Sequence, residues 1–219
     1  MTTGRPARVI VADPPWHYRN RHDTRGPSRF GRGVAARYSR GVMDIDDLCD
    51  LGPFVERVSA SDAYLFMWST PPTLPDAVRL IEAWGWRYVT IAFYWTKLYP
   101  NGQPFFGPGR YTPSNVEPVL LGSKNSCWHT NKGFKPLQEI RAPHPRDENG
   151  KIIHSRKPVQ LHERIEQWLG PQIGEHDMLE LFATQAREGW RCYGWDVTGR
   201  DIRVDLAGYA TEMELVVVG

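Results

Sequence analysis

The sequence predicts an α/β fold with a mainly parallel sheet, and three observations lead to it. Short apolar runs rich in β-branched and aromatic residues recur at 8–12, 63–68, 88–95, 116–121 and 178–183. Segments with helical apolar spacing lie between several of them, and strands alternating with helices argue for parallel pairing through right-handed crossovers. Two of the runs stop on polar, proline-rich clusters, Asp13-Pro14-Pro15-Trp16 and Ser69-Thr70-Pro71-Pro72. In such folds ligands bind at the carboxyl ends of the strands, so these clusters are where chemistry is sought.

Arg8-Val9-Ile10-Val11-Ala12 lacks the alternation of a half-exposed strand and reads as one buried on both faces. From His17 to Gly41 no periodicity survives, and Gly26, Pro27, Gly31, Gly33 and Gly41 punctuate a long Arg-rich loop. Loops beyond about 12–15 residues in compact domains are usually functional or disordered. Residues 44–58 carry a helical pattern interrupted near Gly52-Pro53. After the strand at 63–68, Thr73 caps a helix whose Leu74, Val78 and Ile81 share a face, with Gly85 just past its end.

A strand at 88–95, a Gly/Pro loop at 97–115, a strand at 116–121 and a long polar loop at 123–157 follow. Pro158 suits the first turn of a helix that carries Leu161, Ile165, Trp168 and Leu169 on one face. Residues 178–183 form a buried strand and 190–197 a further one, while 202–206 and 213–218 are weaker strand-like stretches.

A chain of 219 residues supports one domain, here 1–219, with long substrate loops at about 17–41 and 97–150. Its 41% hydrophobic and 12% aromatic content excludes a disordered chain. Cys49, Cys127 and Cys192 are far apart and odd in number, which argues against a disulfide framework and fits a reducing, cytoplasmic setting. No leader and no apolar run of membrane-spanning length is visible, so no membrane partner is expected.

The formal net charge is only +2, but it is unevenly spread. Residues 1–41 carry nine Arg against two Asp, and residues 124–157 carry eight basic against three acidic side chains. Two basic segments therefore alternate with two acidic ones, which fits a polyanionic partner; the competing reading is a solvated basic surface.

Asp13-Pro14-Pro15-Trp16 has a specific chemical use. Two prolines fix φ and remove two backbone donors, leaving turn carbonyls to face a ligand. A carboxylate beside a carbonyl makes two acceptors, which match an amino group bearing two hydrogens. An adjacent aromatic ring offers a face to a planar base. The set describes a receptor for the exocyclic amine of a nucleobase; the competing reading is a rigid strand-ending turn with a core tryptophan.

The stretch "ADPPW" after a buried strand resembles the signature of D-P-P-W-type N6-adenine methyltransferases, which include bacterial and phage DNA methyltransferases and the catalytic subunit of the eukaryotic messenger-RNA adenosine methyltransferase. "YLFMWSTPP", "AWGWRYVTIAFYWTK", "NVEPVLLG", "HSRKP", "RIEQWLGP" and "LELFA" followed by "GWRCYGWDV" continue the resemblance in order over roughly residues 8–198. It implies a Rossmann-like, S-adenosylmethionine-dependent fold with permuted motif order, the target-base motif preceding the cofactor half. It also implies direct methyl transfer to the adenine amine, with DNA as the expected polymer and RNA second. N4-cytosine methylation and a catalytically silent nucleic-acid-binding platform are the alternative readings.

By this resemblance Asp13, Pro14, Pro15 and Trp16 are the catalytic set. Lys157 meets the cofactor carboxylate near a helix N-terminus. Asp13, Phe182, Ala183 and Thr184 approach the methionine part or ribose, and Trp195 and Asp196 the adenosine. Tyr18, Arg19, Arg21, Tyr38, Lys97 and Glu117 are assigned to the substrate, the arginines through flanking phosphates. The chain departs from the family at Thr184, where Arg is usual, and at Trp195, where Asn is usual. Specificity is left to the loops or to a second subunit, either a copy of this chain or another protein. Cys127-Trp128-His129 has no second ligand pair at zinc spacing, so no metal is expected.

Overall fold

The apolar run at 8–12 becomes β1 (Ala7–Ala12), an interior strand paired on both sides. The computed structural model describes residues 4–17, 42–107, 111–125, 136–153, 156–170 and 177–217. Six further strands are β2 (Ser59–Trp68), β3 (Arg87–Leu98), β4 (Val116–Ser123), β5 (Glu139–Pro143), β6 (Met178–Leu181) and β7 (Arg191–Tyr193). They form one sheet in the order β5-β3-β4-β2-β1-β6-β7. The β2–β4 and β3–β4 pairings are antiparallel and the other four are parallel. The expectation of a mainly parallel sheet thus holds in part: β4 alone runs against its neighbours.

Among the described residues six α-helices accompany the sheet: α1 (Ile45–Cys49), α2 (Gly52–Arg57), α3 (Leu74–Ala83), α4 (Gln160–Leu169), α5 (Trp195–Thr198) and α6 (Ile202–Val217). Alternation along the strands sorts the core into two layers. Ile10, Ala12, Leu65, Met67, Leu179 and Leu181 pack with Leu48, Val55, Leu80, Ile81 and Leu206 from α1, α2, α3 and α6. Val9, Val11, Phe66, Trp68, Phe93 and Trp95 pack with Leu161, Ile165 and Leu169 of α4. Helices on both faces explain why β1 reads as a continuous apolar run. No helix among the described residues is long and apolar enough to cross a membrane.

Three expectations require correction. The polar loop at 123–157 contains β5, whose Ile140 and Ala142 point inward while Glu139 and Arg141 face solvent. Its brevity and terminal Pro143, tolerated because β5 is an edge strand, hide it.

The strand-like stretches at 202–206 and 213–218 are instead one helix as far as Val217. Ile202, Leu206, Tyr209 and Ala210 follow helical spacing and are buried against the sheet, and the Tyr209 hydroxyl donates to the Arg5 carbonyl at 2.5 Å. This packing overrides the β-propensity of the valines near the end.

The strand expected at 190–197 stops at Tyr193 and turns into α5.

The topology gathers chemistry at one edge. Asp13, Ser69, Leu98, His144, Phe182 and Gly194 all lie at the carboxyl ends of strands, and the reversal of β4 brings its beginning, Val116-Glu117, to the same edge.

Candidate active site

Beyond Ala12 the backbone leaves the sheet. The Asp13 N–H makes a last bond to the Leu181 carbonyl at 3.3 Å, and the Trp16 N–H donates to the Pro14 carbonyl at 2.8 Å, a tight turn centred on Pro15. The Met43 N–H donates to the Pro15 carbonyl at 2.9 Å, and His17 pairs with Asp44 at 2.7 Å. The Pro14 carbonyl therefore already accepts one hydrogen bond, and its second lone pair is what remains for a ligand.

Trp16 is not the open stacking face that the sequence suggests. Its ring is 4% exposed, packed in the core with Ile45, Leu48 and Met67, and its indole N–H donates to the Trp68 carbonyl at 3.2 Å. A buried indole needs such a partner, and the end of β2 supplies it. The core-tryptophan reading of the turn is the one realised at this residue.

Asp13 is the end of a chain of alternating charge. Lys157 Nζ lies 3.1 Å from Asp13 Oδ1 and 3.2 Å from Glu117 Oε2, and Lys97 pairs with the other Glu117 oxygen. All four side chains are 10–16% exposed. Four elements converge here: the end of β1, the end of β3, the start of β4 and the turn before α4. Trp68 lies beneath Lys157 and Trp95 beneath Lys97, with each ammonium 5.3 and 5.0 Å from its ring. The sequence names these four residues for different ligands; the fold joins them.

The two carboxyl groups respond in opposite directions. Burial pushes Asp13 from an ordinary 3.8 up to about 6, against the charge and hydrogen bond of Lys157, and Glu117 and Glu180 push it further up. Burial acts upward on Glu117 too, but Lys157 and Lys97 together outweigh it and hold Glu117 below the usual carboxylate range. One ammonium does not offset desolvation; two do.

The other expected half-site is pinched. Phe182, just after β6, sits at φ 61, in the left-handed region that a bulky residue rarely occupies. Strain of this kind clusters at functional sites. The Ala183 N–H donates to the Tyr193 carbonyl at 2.9 Å, and a Cβ on Gly194 would fall 2.3 Å from the Ala183 oxygen. Only glycine allows that approach. Thr184 and Trp195 are half-buried beside the pinch, and Asp196 is exposed in the first turn of α5.

On the opposite face of β6, Glu180 meets the buried His162 at 3.0 Å, an arrangement that the sequence does not reveal because α4 brings it. Cys192 lies beside Glu180, and burial together with that carboxylate pushes its thiol up to about 11, so it stays protonated.

Tyr18, Arg19, Arg21 and Tyr38, like His154 and Cys127-Trp128-His129, lie outside the described residues. Among the described residues no group of three His, Cys, Asp or Glu is arranged to hold a metal ion.

The MT-A70 family matches residues 7–196. The chain is also 30% identical over 214 residues to the Type II methyltransferase M.MunI of Mycoplasma sp, covering 94% of this chain and 84% of that protein. MT-A70 is an S-adenosylmethionine-dependent family, and the groups at this edge fit that molecule chemically. Lys157 presents a cation and Asp13 an anion, the counter-charges of a zwitterionic amino acid end. With the match running from β1 through the start of α5, the chain belongs to the MT-A70 family of methyltransferases.

Proposed function

We propose that this chain transfers a methyl group from S-adenosylmethionine to the N6 amine of adenine in DNA, with RNA as the second polymer to test. The observation that carries the reading is the buried Asp13 carboxylate at the end of β1, followed directly in the chain by Pro14, whose carbonyl keeps one lone pair beyond its bond from the Trp16 N–H. Two acceptors at one point suit an amine with two N–H bonds, and their hydrogen bonds localise a lone pair that the ring otherwise delocalises.

S-adenosylmethionine, when bound, supplies an electrophilic methyl group on a sulfonium. The chain's own residues do the rest. Asp13 and Pro14 orient the amine, and orientation of this kind is worth on the order of 7–11 kcal/mol in favourable cases. An amine that accepts a methyl group becomes positive. The Asp13 carboxylate stabilises that charge and accepts the departing proton at Oδ1 or Oδ2, which its raised pKa assists. Burial of Asp13 excludes competing water.

The basic segments at 1–41 and 124–157 support a polyanionic substrate, with Arg19, Arg21 and their neighbours holding phosphates. A flipped base stacks on Tyr18 or Tyr38 in this reading, since Trp16 is buried. Three separated cysteines fit a cytoplasmic setting.

The test is radiolabelled methyl transfer to duplex DNA, single-stranded DNA and RNA, followed by nucleoside mass spectrometry. N6-methyladenine is the expected product. N4-methylcytosine, which a related [DNS]-P-P-[YFW] signature serves, or no methylated nucleoside in any polymer, overturns the assignment.

A further inference from the structure

Residues 99–107 and 111–115, between β3 and β4, form a built arm, not a slack loop. It leaves the sheet one residue after Lys97 and returns one residue before Glu117, so it springs from the ion pair that adjoins Asp13. The Lys97 N–H donates to the Asn115 carbonyl at 2.7 Å and the Phe105 N–H to the Lys97 carbonyl at 3.0 Å. Isolated antiparallel bridges at Leu98–Pro104 and Gly107–Ser114 brace it further.

Its aromatic side chains divide into two groups. Phe105 turns inward, 5.1 Å from Tyr99 and 4.7 Å from His144, and His144 lies 4.9 Å from Trp95. The next residue, Phe106, turns outward and is 66% exposed, and Tyr111 on the same arm is 92% exposed. A single exposed aromatic needs no explanation. Two of them, on an anchored arm rooted at the carboxylate–lysine network, do. The arm also carries no acidic residue between Leu98 and Val116, and the basic segment 124–157 lies just downstream of β4. Exposed rings on a surface without negative charge suit the bases of a polyanionic strand, because every base presents a π-face.

We infer that Phe106 and Tyr111 are positioning residues that stack on nucleobases flanking the target base. This inference rests on the nucleic-acid reading above and adds to it the part of the chain that grips the neighbours of the target. Stacking of one base on one ring corresponds to roughly 5- to 100-fold in affinity.

The experiment measures methyl-transfer kinetics and equilibrium binding of a fluorescein-labelled oligonucleotide of whichever polymer the parent methylates. The double variant Phe106→Ala, Tyr111→Ala is compared with Phe106→Trp, and the same oligonucleotide is prepared with abasic sites on both sides of the target. The double variant is expected to raise KM and Kd at least about tenfold, with kcat, S-adenosylmethionine affinity by calorimetry and Tm unchanged. Phe106→Trp is expected to retain parental binding. On the abasic oligonucleotide, parent and double variant are expected to bind alike.

Equal binding of parent and double variant to the intact oligonucleotide overturns the inference alone. So does a loss that persists with abasic flanks, or a change in sedimenting mass, which marks the arm as a protein–protein face. Absence of any nucleic-acid binding by the parent overturns this inference together with the function on which it rests.

Discussion

Lys157 Nζ rests 3.1 Å from Asp13 Oδ1, so the carboxylate proposed to meet the substrate amine already holds a cation. On its other side the same ammonium is 3.2 Å from Glu117. Glu117 is flanked by two lysines and Asp13 by one, which is why two carboxyls withdrawn from water to a similar degree move in opposite directions. The charge state of Asp13 is therefore a property of the network, and the reactivity of the site follows from it.

In the proposed mechanism methyl transfer requires ionised Asp13, whose carboxyl burial pushes up to about 6. The value of kcat/KM is expected to fall about tenfold per pH unit below that point and to level off above it. Folding stability changes in the opposite direction. Because the folded-state pKa lies above the ordinary 3.8, the folded protein holds an extra proton between the two values. The stabilising contribution of Asp13 is full at the acid end and is lost as pH rises from about 4 through about 6. Initial rates recorded from about pH 5 to about 8 and thermal melts from about pH 3.5 to about 8 check both limbs, and Asp13→Asn should abolish transfer while removing this stability slope.

Substitutions at the two partners of Asp13 should act in opposite senses. Lys157→Met removes the charge that lowers Asp13, so the acid limb of the rate profile moves to higher pH. Glu117→Gln removes a charge that raises Asp13, so the limb moves to lower pH. Each leaves an ionic group of the buried set unpaired, at a cost of about 3–5 kcal/mol in denaturant unfolding. Shifts in the same direction for both variants contradict an electrostatic role.

Gly194→Ala tests the pinch. The added carbon falls 2.3 Å from the Ala183 oxygen and 2.5 Å from its nitrogen, so the backbone between β6 and β7 has to move. A lower Tm by about 4–8 °C is expected from a loss of about 2 kcal/mol. Calorimetry should show weaker S-adenosylmethionine binding, and unchanged binding removes the pinch from the cofactor site.

Trp16→Phe separates a structural from a stacking role. It leaves the Trp68 carbonyl without its indole donor, a loss of about 1–3 kcal/mol. Oligonucleotide affinity should be unaffected because the ring is buried. A selective loss of affinity with unchanged stability would restore the stacking reading.

The interior of this fold is legible in the sequence because burial on both faces writes Val9–Ala12 of β1 and Ala63–Trp68 of β2 as apolar runs, and leaves Glu180 as the one polar residue of β6. Asp13 and Glu117 are legible as polar residues at strand ends. Their contact through Lys157 is not, because it depends on the reversal of β4 and on the turn before α4, which no local pattern encodes. β5 escapes notice because only Ile140 and Ala142 face inward. The strand-like reading of 202–218 fails because valines near the C-terminus outweigh the helical spacing of Leu206, Tyr209 and Ala210. Trp16 shows a further limit: an indole beside two prolines looks the same whether it faces water or the core.

The reversed strand β4 has one more consequence. The arm that bears Phe106 and Tyr111 departs from and returns to the same edge of the sheet, and the ladder from Arg87–Ser123 to Thr96–Val116 fixes both of its roots. A segment bounded in this way is an interchangeable module. Its length and composition are free to diverge, or to be re-engineered, while the pairing of β3 with β4 keeps Lys97 and Glu117 in register beneath it.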